Sequence, residues 1–229
     1  MATIVFASSK GGAGKTTAAL TLAFVASHHG TQTTIIDADP NQPIVRWRDR
    51  NPENVPQGLS IISALNDTVM EAIDGSNTPL TIVDLEGSKN QDVSVGIGRA
   101  DLVVIPLTGS RLDADEATSV IRVIKRQELA FRRSIPFRLM LTRTSPVIED
   151  RHTRDIVQQF VDSTIPILST KLMERAAFRA PFHTGLNLYQ LTDKHVRHAA
   201  TAVENAEAVA AEIRQTLVSV MAKGELKNV

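Results

Sequence analysis

The chain contains no cysteine. Disulfides, thiol catalysis and cysteine-ligated metal clusters are thereby excluded together. Neither sign of charge is in surplus: 25 Lys and Arg offset 25 Asp and Glu. Any nucleic-acid binding must then come from a local patch and not from the field of the whole protein. No apolar run reaches the roughly 20 residues that span a bilayer. No charged-then-apolar signal segment opens the chain, so the expected location is the cytoplasm. No Pro/Gly/Ser linker, low-complexity segment or internal repeat divides it. What remains is 229 residues, 42% of them apolar, enough for one large α/β domain with a sizeable core.

Short apolar runs alternate with helical patterns. Strands are expected at Thr3–Ser8, Thr33–Asp37, Leu59–Ile62, Leu80–Asp84, Leu102–Pro106, Phe137–Thr142 and Ile165–Leu168. Helices are expected at Thr16–His29, Asn41–Arg50, Asp67–Asp74, Asn90–Arg99, Asp113–Phe131, Ile148–Val161, Leu172–Ala180 and Val196–Met221. Uniformly apolar strands between helices predict a mostly parallel twisted sheet covered on both faces. The predicted domain spans residues 1–223, with a frayed tail at 224–229.

The stretch from Ser8 to Thr17, SSKGGAGKTT, follows the first strand and opens the first helix. That context separates a working phosphate loop from a chance cluster of glycines. Gly11, Gly12, Ala13 and Gly14 let the backbone wrap a polyphosphate with its N–H groups pointing inward. The helix N-terminus at Thr16 and Thr17 adds partial positive charge. Lys15 is placed to neutralise the β- and γ-phosphates, and the Thr16 hydroxyl is a Mg²⁺ ligand. The strand Leu80–Asp84 ends in an aspartate, the pattern in which Asp84 holds a Mg²⁺-bound water. Glu86, two residues on, reads as a solvated loop residue, with a second water-positioning carboxylate as the alternative.

Ser9 occupies the first-glycine position of the common loop pattern, and Lys10 stands directly before Gly11-Gly12. Lys-Gly-Gly-x-Gly-Lys-Thr-Thr resembles the deviant Walker A motif of the ParA/MinD family of dimerising P-loop ATPases, most closely the short ParA-type partition ATPases. Asp37-Ala38-Asp39-Pro40-Asn41-Gln42 is similar to the family's switch I, and Pro106 to Asp113 to a strand-to-helix step of the family. The resemblance covers residues 2 to about 220. It implies ATP and ADP as ligands with Mg²⁺. It implies that Lys10 reaches the partner subunit's nucleotide, that Asp39 orients the attacking water and that Asp37 supports the metal shell. Gly87 would place a backbone N–H near the γ-phosphate. By position in the family, Thr142 and Arg143 contact the adenine, and the stretch ending at Ser169 closes the other side of the base pocket. Absent cysteines exclude the branch with a shared iron–sulfur cluster. Arg46-Trp47-Arg48 and the run from Met173 to Phe178 resemble short members tied to conjugative DNA transfer.

The resemblance further implies an ATP-bound homodimer that binds double-stranded DNA non-specifically, associates with the nucleoid and answers to a ParB-like adaptor. For DNA, Lys171, Arg175 and Arg179 recur every four residues, which places them on one face of the predicted helix. Lys194 and Arg197 would open the last helix. A second basic cluster, from Arg122 to Arg138, reads as a solvated face or partner surface. The last helix carries a seam of small apolar residues that packs on the domain body. The alternative is a MinD-like membrane-positioning ATPase. The tail speaks against it, since it lacks Phe and Trp and carries Gly224 and Glu225, so no stable membrane anchor is expected. A metabolic ligase on the same fold is disfavoured by Lys10, and a tyrosine kinase by the single tyrosine.

Overall fold

The computed structural model describes residues 1–9, 11–65, 68–86, 91–145 and 151–225. The strands are β1 (Ala2–Phe6), β2 (Thr33–Ala38), β3 (Leu59–Ser63), β4 (Leu80–Leu85), β5 (Leu102–Leu107), β6 (Phe137–Thr144) and β7 (Leu172–Met173). They form one seven-stranded sheet in the order β3-β2-β4-β1-β5-β6-β7, and every pairing is parallel. The helices are α1 (Lys15–His28), α2 (Pro43–Arg50), α3 (Val69–Asp74), α4 (Gln91–Arg99), α5 (Arg111–Phe131), α6 (Arg151–Asp162), α7 (Ala180–Thr184) and α8 (Ala199–Glu225). The expected α/β architecture, with helices on both faces, is the one found.

Strand alternation divides the core. Ile4 and Phe6 of β1, Ile35 of β2 and Ile82 of β4 face a layer containing α1, α2 and α8. Val5, Ile36 and Val83, one residue on in each strand, face the layer of α3, α4, α5 and α6. Side chains of a strand point to opposite faces with period two, so each apolar run feeds both cores. The seam on α8 packs inward: Ala199, Ala206, Ala210, Ile213 and Leu217 are buried in the first layer.

The chain builds β2 and β3 on one side of β1, returns to β4, then crosses to β5, β6 and β7 on the other. The loop after β1 therefore lies where strand order reverses, the place where open parallel sheets bind ligands.

Four expectations are corrected. Residues 172–180 are not a helix. Thr142 and Thr144 on the open edge of β6 pair with Leu172 and Met173. Asn205 of α8 takes the Met173 N–H at 2.9 Å and donates to the Lys171 carbonyl at 2.9 Å. With its backbone groups satisfied across the fold, the segment has no need of helical bonds, and only a short 3₁₀ turn, Ala176–Phe178, follows. The strand expected at Ile165–Leu168 is reduced to an isolated bridge between Leu139 and Ile167. The last helix starts at Ala199 and not at Val196, because the Asp193 carboxylate accepts the Ala199 N–H at 3.0 Å and His198 adopts a φ of 60°. At its other end α8 continues past the expected Met221 to Glu225, and residues 226–229 lie outside the described residues.

Candidate nucleotide-binding site

The loop between β1 and α1 has the backbone its sequence calls for. Gly12 and Gly14 have φ of 96° and 85°, a region that side chains with a Cβ avoid. Gly14 is the N-cap of α1 and offers no side-chain cap. The first N–H groups of α1 are thus left for a ligand. A Cβ on Gly11 or Gly12 would meet nothing within 4 Å, so the space inside the loop is open. Lys15, the first residue of α1, is 6% exposed. Ser9 turns inward and donates its hydroxyl to the Glu116 carboxylate and, at 3.1 Å, to the Glu116 carbonyl, tying the loop to α5. Lys10 and Gly87 lie outside the described residues.

Asp84 is the penultimate residue of β4, paired in register with Phe6 of β1, just before the loop. It is fully buried, and neither carboxylate oxygen reaches full hydrogen-bond geometry with a described residue, although the Thr16 hydroxyl lies close enough to interact with it. Burial pushes its pKa up to about 7, while the nearby Thr16 hydroxyl and Lys15 ammonium pull it down and Asp37 and Asp39 raise it. A buried carboxylate left without a partner is costly. A bound divalent cation would relieve that cost, and Thr16 and Asp84 supply the hard oxygen ligands that Mg²⁺ takes. The residues present therefore fit the ion.

Asp37 is equally buried but differently used. Its Oδ2 accepts from Ile44 N at 2.8 Å and Val45 N at 3.0 Å, and its Oδ1 from Asp39 N at 3.2 Å. Burial raises its pKa, and the three amide bonds act against that rise. Asp37 thus caps α2, where the family resemblance implied support of the metal shell. The nominal N-cap residue, Gln42, has a φ of 46° and makes no side-chain cap bond. Asp39 is half-buried at the rim; its Oδ1 accepts from Asn41 N at 2.8 Å, which fixes the turn.

On the other side of α1, a cleft is lined by Gly14, Thr17, Thr142 and Arg143, and closed by Met173 and Arg175. Thr142 is committed to the loop: its hydroxyl donates to the Ala13 carbonyl at 2.8 Å and contacts the Leu107 carbonyl at 3.3 Å. Ser169 does not line this cleft. Its N–H and hydroxyl are both held by Glu212 of α8, at 2.7 and 2.9 Å. Arg175 and Arg179, predicted to share a DNA-facing helix, instead line the cleft. Arg175 Nε is buried without a partner, and Arg179 pairs with Glu174 at 2.6 Å. Lys171 is half-buried at the start of β7. Lys194 and Arg197 are exposed in the turn before α8, not on it. Sequence reasoning missed Met173 as a cleft residue, since its place depends on β7 pairing with β6.

Known proteins resemble the chain along most of its length. The family model described as VirC1 protein matches residues 1–222. A ParA protein of Rhizobium radiobacter is 34% identical over 227 residues, covering 96% of this chain and all of that one. The chain belongs to the VirC1 family, within the ParA/MinD group of ATPases. A virC1 protein of Rhizobium radiobacter is 29% identical over 196 residues, 81% of this chain and 82% of the relative. Among solved structures, an ATP complex of Cyanothece McdA superposes with a TM-score of 0.72 at 17% identity, covering 93% of this chain and 96% of that one. The VirC1-family chain therefore shares its fold along nearly its whole length with that protein.

Proposed function

We propose that this VirC1-family chain is a Mg²⁺-dependent ATPase that closes as a homodimer around two ATP molecules, binds DNA in that state and releases it after hydrolysis. The observation that carries this reading is the pairing of an open, uncapped phosphate loop with the unpartnered buried carboxylate of Asp84. The family membership and the ATP-bound fold relative support the choice of nucleotide.

Each residue has a task. The amides from Gly11 to Thr17 and the Lys15 ammonium take the phosphates, so negative charge is met by groups already in place. Thr16 and Asp84 would hold Mg²⁺, Asp84 through a coordinated water, and the ion when bound neutralises charge on the β- and γ-phosphates. Asp39 orients a water for in-line attack on the γ-phosphorus. The new P–O bond forms as the bond to the β–γ bridging oxygen breaks, giving ADP and phosphate. Asp37 keeps Asp39 in place through the Asp39 N–H. Lys10 would cross to the partner subunit's phosphates, which makes closure depend on nucleotide. The cleft beside Gly14 receives the base, with Arg143 and Met173 on its walls.

Coupled to an adaptor of the ParB kind, such a cycle segregates or positions a cargo: a plasmid, a transferred DNA strand or a protein cluster. Binding to DNA would keep the protein on the nucleoid. No helix among the described residues is long and apolar enough to cross a membrane. Phosphate release from ATP, measured with Mg²⁺ and with EDTA, tests the chemistry. Turnover that requires Mg²⁺ and disappears in Lys15→Ala supports it. ATP binding without any turnover, with or without DNA and adaptor, would contradict it.

A further inference from the structure

The structure leaves two basic segments exposed and joins them. On α2, Arg46 and Arg50 are one turn apart and both exposed, so they share a face. The opposite face of the helix buries Ile44 and Trp47. Neither arginine forms an ion pair with a described residue. The one acid of α2, Asp49, is held by Arg48 at 2.7 Å. Arg50 lies in the last turn, where a cation suits the helix dipole in any protein. Arg46 lies earlier and has no such reason to be there.

The second segment is the turn before α8, with Lys194 and Arg197. Its acid, Asp193, is used by the Ala199 N–H. A seam of amide side chains binds the two segments. Asn54, four residues after Arg50, donates to the Gly185 carbonyl at 3.1 Å, receives Asn187 Nδ2 on its own carbonyl at 2.9 Å and Gln190 Nε2 on its Oδ1 at 3.0 Å. Gly185 has a φ of 78°, and a Cβ there would lie 2.1 Å from Asn51 Oδ1, so the strands of this seam lie in direct contact. Four residues beyond Gln190 the chain reaches Lys194.

We infer that Arg46 and Arg50 of α2, with Lys194 and Arg197 across the seam, form the surface that grips the DNA backbone. The inference rests on the DNA-binding reading above; it keeps Lys194 and Arg197 and puts Arg46 and Arg50 in the place of Arg175 and Arg179, which line the nucleotide cleft. Exposed, unpaired arginines and lysines with no aromatic platform suit phosphates and not bases. The surface is also wired to the nucleotide. α2 is capped by Asp37, which holds the Asp39 N–H with the same carboxylate. One carboxylate thus connects the Asp39 turn to the start of the helix that carries Arg46.

The test is fluorescence anisotropy of a labelled random-sequence 60-base-pair duplex with ATP and Mg²⁺, across a salt series. Arg46→Glu/Arg50→Glu is expected to weaken binding more than tenfold and to reduce the slope of log K against log salt by about 2. ATP turnover without DNA stays at the wild-type value. Arg46→Lys/Arg50→Lys restores binding. Glu53→Lys, which replaces an exposed acid beside the seam, tightens binding and steepens the slope by about 1. Reversal of Arg122 and Arg126 on α5 serves as the control and leaves binding unchanged. Wild-type affinity in Arg46→Glu/Arg50→Glu, or loss only in the α5 control, overturns the surface and leaves DNA binding standing. Wild-type protein that binds no duplex overturns both. Binding through these arginines to phosphatidylglycerol vesicles and not to DNA overturns the assignment of the partner.

Discussion

Asp37 and Asp84 stand opposite each other on neighbouring strands of the sheet, both fully buried, and they do different work. Asp37 spends its oxygens on the amides of Ile44, Val45 and Asp39. Asp84 makes no full hydrogen bond with a described residue. One carboxylate builds the fold, and the other is left free for the cation proposed above. Replacing them should separate the two roles. Asp37→Ala uncaps α2 and leaves buried amides unpaired, at a cost of about 1–3 kcal/mol in stability. Asp84→Asn removes a buried charge, so the nucleotide-free protein at pH 8 is expected to be as stable as wild type or more so, while Mg²⁺-dependent turnover falls at least about 100-fold. Thermal unfolding and phosphate release, measured on both variants, check this. An Asp84→Asn protein with lower stability and full turnover would reverse the assignment.

Trp47 provides a built-in reporter of the same region. It is the chain's single tryptophan, on the helix that Asp37 caps, edge-on to Phe24 of α1 with ring centroids 5.2 Å apart. α1 begins at the phosphate loop, so Trp47 touches elements from both sides of the site. ATP with Mg²⁺ is expected to change its emission in wild type, and Asp37→Ala is expected to lose that change while still binding nucleotide. Identical emission with and without ATP would show that α2 does not respond.

Thr142 is predicted to act through the loop. Its hydroxyl holds the Ala13 carbonyl at 2.8 Å, and its methyl-bearing carbon sits 3.5 Å from the position of a Cβ on Gly14. Thr142→Val keeps the shape and removes the bond. The expected loss of nucleotide affinity is about tenfold or less, in line with about 1 kcal/mol for a single hydrogen bond. Equal losses for ATP, ADP and GTP would mark a loop effect. A loss confined to adenine nucleotides would mark a base contact instead.

Glu212 gives a pH dependence. Partial burial pushes its carboxyl up, but bonds from Thr170 and Ser169 outweigh burial and hold it below its ordinary value of 4.5. A carboxylate with a depressed folded pKa stabilises above its unfolded pKa and loses that contribution as pH falls through the folded value. Wild type is therefore expected to lose stability below pH 4.5 more steeply than Glu212→Gln, and the two curves converge in acid. Parallel stability curves from pH 7 to pH 3 would contradict this.

The parts of the site that are local in sequence were legible before the structure. Positive φ at Gly12 and Gly14, a helix start within about one residue of the expected Thr16 and an aspartate near the end of β4 all follow from the loop sequence and one strand. The parts built across the fold were not. Lys171, Arg175 and Arg179 have helical spacing, yet the edge of β6 and Asn205 of α8 draw that stretch into a strand and a 3₁₀ turn. Spacing reports a helix only when no neighbour competes for the backbone. The cap on α2 comes from Asp37, on the strand before it, through a bond spanning seven residues that local spacing does not reveal. Ser169, placed in the base pocket by position in the family, is held by Glu212 from α8, a partner that no local pattern announces.

The central claim is a nucleotide-closed dimer whose opening depends on Asp39. Light scattering on a size-exclusion column tests it most directly, with wild type, Asp39→Ala and Lys10→Ala each run with ATP and Mg²⁺. The account predicts that Asp39→Ala, unable to turn over, elutes as a stable dimer, that wild type drifts back to monomer as ATP is consumed, and that Lys10→Ala fails to hold the dimer. An Asp39→Ala protein that binds ATP and remains monomeric would contradict it.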